Sequence, residues 1–383
     1  MKLKIFVACS PGLEPMLATE IAGLGAPANV VPGGVETEGD ATTLARLLVE
    51  TGLSSHVLVR IASFPVKQLA DLEGHVGRLP WSGFLKRNVP RRVRVTAQRS
   101  RLYHTGAIEE RVVRAITTRL GDAPPILADD EQQIAVPLAV RMVDDRCTIS
   151  LDASGPPLHR RGYRLDPYKA PIREDLARAL VKASGWDPSR PLLDPLCGSG
   201  TLLIEAGLIA MNKAPGLDRS FAVERTALDD GSLAKVREAA KARVTASTSN
   251  PVAPSNLVGR DRDPRAIDAA LKNAERAGVS VRFEVGPLST AREAMGDARG
   301  TAVVTNPPWG GRLGDATKLR PLYAALGSLV RALPESTLTL AAHDRKLAYA
   351  TGIPLESALL TDLGGTKVAM MVGAKSKAEK TSA

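Results

Sequence analysis

Asn306-Pro307-Pro308-Trp309 sets an amide, two imino acids and a large flat ring side by side. These residue types suit chemistry on a planar heterocycle that carries an exocyclic amine. Such an amine is a poor nucleophile because its lone pair is delocalised into the ring. Acceptors on its two hydrogens can localise that pair and aim it. The Asn306 side-chain oxygen and the Pro307 carbonyl can supply both acceptors, since an amide oxygen carries two lone pairs. Pro308 has no N–H, has its φ locked, and restricts Pro307 before it, so the turn is stiff. Trp309 offers a face for a base removed from its stack. Catalysis would then be a matter of positioning, not acid–base chemistry. The competing structural reading is a proline-rich turn closing a strand over Thr301–Thr305, with Trp309 as a packing lid.

Upstream, Asp194-Pro-Leu-Cys-Gly-Ser-Gly-Thr201 follows a short apolar run, Pro191-Leu-Leu-Asp194, and leads into an apolar helix over 201–211. Strand, glycine turn and helix N-terminus make a cradle of backbone amides for polar or anionic groups. Asp194, Cys197, Gly198, Ser199, Gly200 and Thr201 are its candidate cofactor-binding residues. No Gly-Lys-Ser/Thr is present, so this is no phosphate-binding Walker loop, and the Gly-x-Gly spacing is not the dinucleotide fingerprint. A third signal is Asn256-Leu-Val-Gly-Arg-Asp261-Arg-Asp263-Pro264, read as a strand ending in acid before a helix over 265–277. Carboxylates at such strand tips grip ribose hydroxyls in doubly wound folds, which makes Asp261 a candidate. Helix capping is the alternative, above all for Asp263 just before Pro264. An insert separates Asp194 from Asp261, with a helix over 235–244 and a Ser/Thr/Asn/Pro loop over 245–255. In this order the signals point to transfer of a methyl group from S-adenosylmethionine to a nucleobase.

The remaining elements must hold these groups in place. With 383 residues and 44% hydrophobic content, the chain has material for two or three domains. Strands and helices alternate in the second half, as in a doubly wound sheet. Aromatics are only 3%, so Trp309 is an unusual choice for routine core filling. The net charge of +10 favours an acidic partner such as nucleic acid. Between Lys86 and Arg119 there are ten basic residues against two acids. Within that stretch Arg92 and Arg94 fall on one strand face with Val93 and Val95 opposite. A helix over 106–120 follows, with Ile108, Val112, Val113 and Ile116 as its apolar stripe and Arg111, Arg114 and Arg119 outward. Arg91, Arg92, Arg94, Arg99 and Arg101 are therefore candidate RNA-backbone contacts; a merely solvated face is the alternative.

Other classes find little support. Cys9, Cys147 and Cys197 are odd in number and far apart, and no Cys/His set has zinc spacing, so neither a disulfide framework nor a metal site is expected. Cys197 reads as a small residue in its turn, not a nucleophile. The opening apolar run, Ile5 to Ala8, is too short for a signal peptide and reads as a first strand, turning at Pro11 and Gly12 into a helix. No run approaches a membrane span, and a cytoplasmic location is expected.

Further stretches sharpen the picture: Gly12-Leu-Glu-Pro-Met-Leu-Ala-Thr-Glu20, Val31-Pro-Gly-Gly-Val-Glu-Thr-Glu-Gly-Asp40, Leu151-Asp-Ala-Ser-Gly155, Leu158-His-Arg-Arg-Gly-Tyr-Arg164, Ala170-Pro-Ile-Arg-Glu174 and Ala214-Pro-Gly-Leu217. With the two motifs above, the chain resembles the S-adenosylmethionine-dependent RNA guanine-N2 methyltransferases that carry a THUMP domain, and is most similar to their bacterial 23S ribosomal RNA branch. The resemblance implies an α/β protein: a Rossmann-like class I methyltransferase domain, preceded by an α+β ferredoxin-like piece and a THUMP domain. Three departures stand out. An acidic residue expected near position 287 is replaced in Phe283-Glu-Val-Gly-Pro287, so an adenine contact is absent or supplied by Glu284 or backbone. The usual Asn-Pro-Pro-Tyr ends in Trp309, which keeps the stacking face and loses a hydroxyl. The usual Gly-Glu-Arg after it reads Gly310-Gly311-Arg312.

The expected organisation is a ferredoxin-like segment over 1–43, an RNA-binding THUMP domain over 44–154, a methyltransferase domain over 155–372 and a disordered tail over 373–383. The expected reaction is methylation of a guanine N2 amine in RNA, with ribosomal RNA favoured over transfer RNA. Asn306, Pro307 and Trp309 would form the catalytic set. Adenine-N6 methylation of nucleic acid is the nearest rival. A non-catalytic RNA-binding or ribosome-assembly factor with a degenerate cofactor site is the rival of another class, suggested by Pro287. The sequence carries no mark of an oligomeric state.

Overall fold

The computed structural model describes residues 1–122, 135–166, 168–169, 171–248, 256–310, 315–363 and 365–373. The expected tail beyond 373, most of the Ser/Thr/Asn/Pro loop, Ala170, Gly311 and Arg312 lie outside these residues. The chain forms two compact units. The first comprises Met1–Cys9, Leu17–Leu158 and Gly216–Ala239, and the second Ser10–Met16, His159–Pro215 and Ala240–Ala383.

The first unit is built on one seven-stranded sheet. In chain order its strands are β1 (Leu3–Cys9), β2 (Asn29–Val31), β3 (Gly34–Gly39), β4 (Ser54–Pro65), β5 (Arg91–Gln98), β6 (Val136–Val143) and β7 (Arg146–Asp152). Their order across the sheet is β2-β3-β1-β4-β7-β6-β5. β1 alternates as the sequence suggests, with Leu3, Ile5, Val7 and Cys9 inward. The helices of this part of the chain are α1 (Glu14–Gly23), α2 (Ala41–Glu50), α3 (Leu69–Gly77) and α4 (Thr105–Leu120). Asp40 caps α2 by accepting the Thr43 N–H at 2.9 Å, and Leu44, Leu47 and Leu48 bury its apolar face.

A single sheet thus runs through the segments 1–43 and 44–154. The stretch Gly216–Ala239, which belongs by sequence to the later part of the chain, also lies in this unit. Its Gly216 and Val223 N–H groups donate to the Val49 and Ala153 carbonyls at 2.8 and 3.0 Å.

Two sequence expectations need correction here. Val113 is 37% exposed, and the buried stripe of α4 is Ile108, Val112, Ala115, Ile116 and Leu120. At about 100° per residue Val113 falls at the edge of that stripe, roughly a quarter-turn from its centre, and so meets solvent. Arg91 does not face outward. Its guanidinium is 3% exposed and pairs with Asp122, itself 1% exposed at the side chain, which also accepts the Asn88 N–H at 3.1 Å. The partner lies thirty-one residues along the chain, beyond reach of a local pattern.

The second unit holds β8 (Leu192–Asp194), β9 (Leu257–Asp261), β10 (Arg282–Val285), β11 (Ala302–Thr305), β12 (Thr337–Ala342), β13 (Leu355–Leu363) and β14 (Thr366–Gly373). The order is β10-β9-β8-β11-β12-β14-β13. The first five are parallel neighbours, and β14 runs antiparallel to both β12 and β13. β8 and β11 are buried throughout, which explains their uninterrupted apolar text. The helices of this later part of the chain are α5 (Glu174–Ala183), α6 (Thr201–Ala210), α7 (Ser232–Thr248), α8 (Pro264–Ala277), α9 (Ala291–Ala294), α10 (Asp315–Ala332) and α11 (Arg345–Tyr349), of which α7 up to Ala239 belongs to the first unit. Leu193, Val258, Val303, Leu338 and Leu340 form the core with Tyr323, Leu329 and Val330 of α10. Chain order reverses between β8 and β11, so a crevice opens past their carboxyl ends, where doubly wound folds bind ligands.

Because Asp122 is the counter-charge of a buried guanidinium, Asp122→Asn is expected to cost about 3–5 kcal/mol. Urea unfolding would check this: a midpoint within error of wild type would show that Arg91 does not depend on the carboxylate.

Candidate active site

At the carboxyl end of β8, Asp194 is almost wholly buried. Thr305, the last residue of β11, donates its hydroxyl to Asp194 Oδ1 at 2.7 Å, and the Leu196 N–H reaches the same oxygen at 3.2 Å. Burial, more than the nearby Asp261 charge, pushes the Asp194 carboxyl up to about 7 against the pull of these two donors. The glycine turn then runs to α6 with Gly198 at φ +51° and Gly200 at φ +81°. A Cβ at Gly200 would stand 2.9 Å from Cζ of Phe283, so the left-handed backbone and the close ring both require glycine. Phe283 also lies where a Cβ on Gly259 would fall, and so forms the wall behind the turn.

Asp261 closes the tip of β9. Its carboxylate accepts the Gly198 N–H at 3.1 Å on one oxygen and the Asp263 N–H at 3.0 Å on the other. The Asp261 carbonyl accepts the Gly286 N–H at 2.9 Å. Three strand tips are thereby tied to one residue. Asp263 is the N-cap of α8, accepting the Arg265 N–H at 3.0 Å, and also takes the Tyr168 hydroxyl. Hydrogen bonds from Arg265, then from Tyr168, hold its carboxyl well below the usual range. Glu284 is engaged by Arg282 at 2.6 Å and by Arg260 at 3.7 Å. Burial, then the charges of Asp194 and Asp261, pushes the Cys197 thiol well up, so it stays protonated and is not a nucleophile.

Asn306 follows β11 directly. Its side-chain Oδ1 is buried and has no hydrogen-bond partner among the described residues. A buried acceptor left unpaired costs about 1–3 kcal/mol, so its retention points to a ligand donor. The rest of the tetrapeptide is braced. Trp309 donates its indole N–H to the Ala341 carbonyl at 3.1 Å, and the buried Tyr323 hydroxyl donates to the Pro308 carbonyl at 3.2 Å. Gly310 follows at φ +73°.

Sequence reasoning missed several supports. Thr305 holds Asp194 but is hidden in an apolar strand. Asn273, fully buried, donates from Nδ2 to the Ser199 carbonyl at 3.2 Å and to the Asp166 carbonyl at 3.0 Å. Its signal was an amide on the apolar stripe of α8. Glu205, the one charge in the apolar text of α6, accepts the Tyr163 hydroxyl at 3.1 Å and pairs with Arg178 at 3.3 Å. Away from this site, Arg92 and Arg94 lie exposed on β5. Arg99 pairs through two nitrogens with Asp144 at 2.8 and 3.1 Å, and the Arg101 N–H donates to Asp145 at 2.7 Å. Among the described residues no helix is long and apolar enough to cross a membrane, and no group of three His, Cys, Asp or Glu could hold a metal ion.

A parallel sheet of this order with an antiparallel closing hairpin, and a glycine turn joining its central strand to α6, is the fold of the Rossmann-like class I methyltransferases. Residues 161–352 match the RMKL-like methyltransferase domain, and the chain belongs to that family of S-adenosylmethionine-dependent methyltransferases. Residues 4–58 match the RlmL ferredoxin-like domain. The ribosomal RNA large subunit methyltransferase K/L of Syntrophotalea carbinolica is 35% identical over 348 residues, which are 86% of this chain and 47% of that protein. The chain thus spans about half the length of this curated relative. A possible methylase from Clostridium difficile 630 is 31% identical, with a TM-score of 0.85 over 99% of both chains. The putative methyltransferase SMU.472, solved with S-adenosylhomocysteine (SAH), shares the fold at a TM-score of 0.87 over 99% of both chains and 24% identity.

The residues present fit the family's methyl donor: both glycines of the turn hold left-handed backbone, a Cβ at Gly200 would strike Phe283, and the carboxyls of Asp194 and Asp261 beside the turn would suit a group whose ammonium and sulfonium are cationic. Asp194 also yields a pH prediction. Its folded pKa lies above the ordinary aspartate value, so its contribution to stability is complete below that value and is lost as pH rises through about 7. Over a shift of this size the loss is about 4 kcal/mol. Paired urea titrations without cofactor should show Asp194→Asn gaining on wild type by that order between pH 4 and pH 8. A constant gap would remove the buried acid from the account.

Proposed function

We propose that this methyltransferase modifies the exocyclic N2 amine of a guanine in RNA, most plainly large-subunit ribosomal RNA. The observation that carries the reading is the unpartnered, buried Asn306 Oδ1 at the end of β11. It is the acceptor an aromatic amine needs, set in a braced turn. Asn306 Oδ1 takes one amine hydrogen and the Pro307 carbonyl the other, while the Trp309 face stacks on the flipped base. The indole N–H bond to Ala341 fixes that ring before the base arrives. Bound S-adenosylmethionine supplies an electrophilic methyl group. Gly198, Ser199, Gly200 and Thr201 would form its backbone cradle beside Cys197, with Asp194 and Asp261 the carboxyls that would hold its cationic end and its ribose. Each Asp261 oxygen keeps a lone pair after accepting one backbone N–H. With Glu284 held by two arginines, the adenine contact falls to backbone near Gly286 and Pro287.

The ribosomal RNA target is supported by the name of the half-length-matched relative. The RNA-docking part is the first unit, read as carrying a THUMP domain over 44–154. Exposed Arg92 and Arg94, with Arg99 and Arg101 at their acidic neighbours, would meet phosphates; Arg91 would serve the unit's interior. A cytoplasmic setting follows from this substrate.

The direct test is transfer of labelled methyl to unmodified total RNA, with the product digested to nucleosides. N2-methylguanosine in large ribosomal RNA supports the reading. The same nucleoside in transfer RNA moves the target, N6-methyladenosine moves the base, and RNA binding without transfer favours the assembly factor. Asn306→Ala should lower kcat by about two orders of magnitude, as loss of one aligned charge-stabilising contact does, with cofactor Kd nearly unchanged. Equal activity would remove the acceptor from the mechanism. Replacing Arg92 and Arg94 together by Ala should weaken binding across RNA sequences and flatten the salt slope by about 1.5. An unchanged slope would move the RNA track elsewhere.

A further inference from the structure

His343 lies exposed one residue past the end of β12. β11 and β12 pair in register, Ala302 with Thr337 through Thr305 with Leu340. The last pair is Thr305 with Leu340; Pro308 is three residues beyond it on one strand and His343 three beyond it on the other. Two contacts fix the same neighbourhood. Trp309 donates to the carbonyl of Ala341, two residues before His343. Tyr323, whose hydroxyl holds the Pro308 carbonyl, has its phenol raised by burial first and then by the charge of Asp344, the next residue after His343. His343 therefore lies at the same carboxyl-terminal end of the sheet as Asn306, one strand over.

Its chemistry there is defined by its other contact. His343 Nδ1 lies 2.9 Å from the carbonyl oxygen of Lys367. A carbonyl only accepts, so Nδ1 carries a proton, and it is the neutral form of the ring that offers Nε2 as an acceptor. Asp344 is committed to capping α11 through the Lys346 N–H at 2.8 Å. Guanine carries an N1–H donor directly beside its N2 amine, whereas adenine and 2-aminopurine carry a lone pair at N1. An acceptor at this point would attract the first and repel the others.

We propose that His343 is a specificity-determining residue whose Nε2 accepts the N1–H of the target guanine, so that the base is chosen by its ring nitrogen as well as its amine. This rests on the guanine-N2 reading. It explains how a tetrapeptide that only recognises an amine can reject adenine.

The test uses the full chain and an RNA carrying either guanosine or 2-aminopurine at the mapped methylation position. Both bases bear the amine that is methylated, and only guanosine bears N1–H. Wild type should prefer guanosine by about tenfold to a hundredfold in kcat/KM, the range of one good base-edge contact. His343→Ala should reduce that ratio by about tenfold, and His343→Gln, which keeps an acceptor oxygen, should restore part of it. A His343→Ala enzyme that slows equally on both bases would make the residue a support for the Lys367 strand and overturn the assignment. A wild type that forms N2-methylguanosine but does not discriminate against 2-aminopurine would overturn it with the parent reading intact. No N2-methylguanosine from wild type at all would remove the parent reading and this one together.

Discussion

The buried carboxyl of Asp194 is the constraint on which the site turns. It sits where chain order reverses, bonded to Thr305 on the strand from which Asn306 emerges. One short hydrogen bond thus couples the cofactor turn to the amine-binding turn. Holding a carboxyl there is unfavourable for its charged form, and the site is organised to tolerate that. Two donors meet one oxygen, and the Asp261 carboxylate nearby is held by the Gly198 and Asp263 N–H groups. The arrangement suits a cationic ligand better than an anionic one.

Around this pair the second unit uses polar groups as rivets in apolar layers. Glu205 locks α6 to Tyr163 and Arg178, and Asn273 locks α8 to the backbone of the turn. Each is fully buried, and each has its polar atoms engaged. Their value lies in fixing register: an apolar helix could slide by a turn at small cost, whereas a displaced carboxylate or amide would lose its partners. A transfer that depends on placing an amine in line needs such fixity.

What was legible in the sequence was what is local. The tetrapeptide, the glycine turn and the acid-tipped strand announce themselves within a few residues, and their strand and helix bounds emerged within one or two positions. The alternation of Arg92 and Arg94 likewise needed only a period of two. Illegible were the long-range partners. Thr305 reads as another β-branched strand residue until Asp194 is beside it. Arg91 reads like its neighbours until Asp122 arrives to bury it. Val113 failed for a different reason: it lies at the edge of the helix's buried stripe, while Ala115, nearer its centre, is buried. The family resemblance supplied the fold, but nothing in it marks Gly216–Ala239 as part of the first unit's packing.

That last segment changes how the molecule can come into being. The first unit is finished only by residues that follow β8 and α6, while the second has already begun at Ser10. On a ribosome, neither unit is complete when the other starts to emerge. The amino-terminal sheet must wait, with the surface that receives Phe221, Ala222 and Val223 uncovered, until position 239 has been synthesised. A cut at any single peptide bond between the units leaves one of them without a piece of itself, so the chain is made to be used whole.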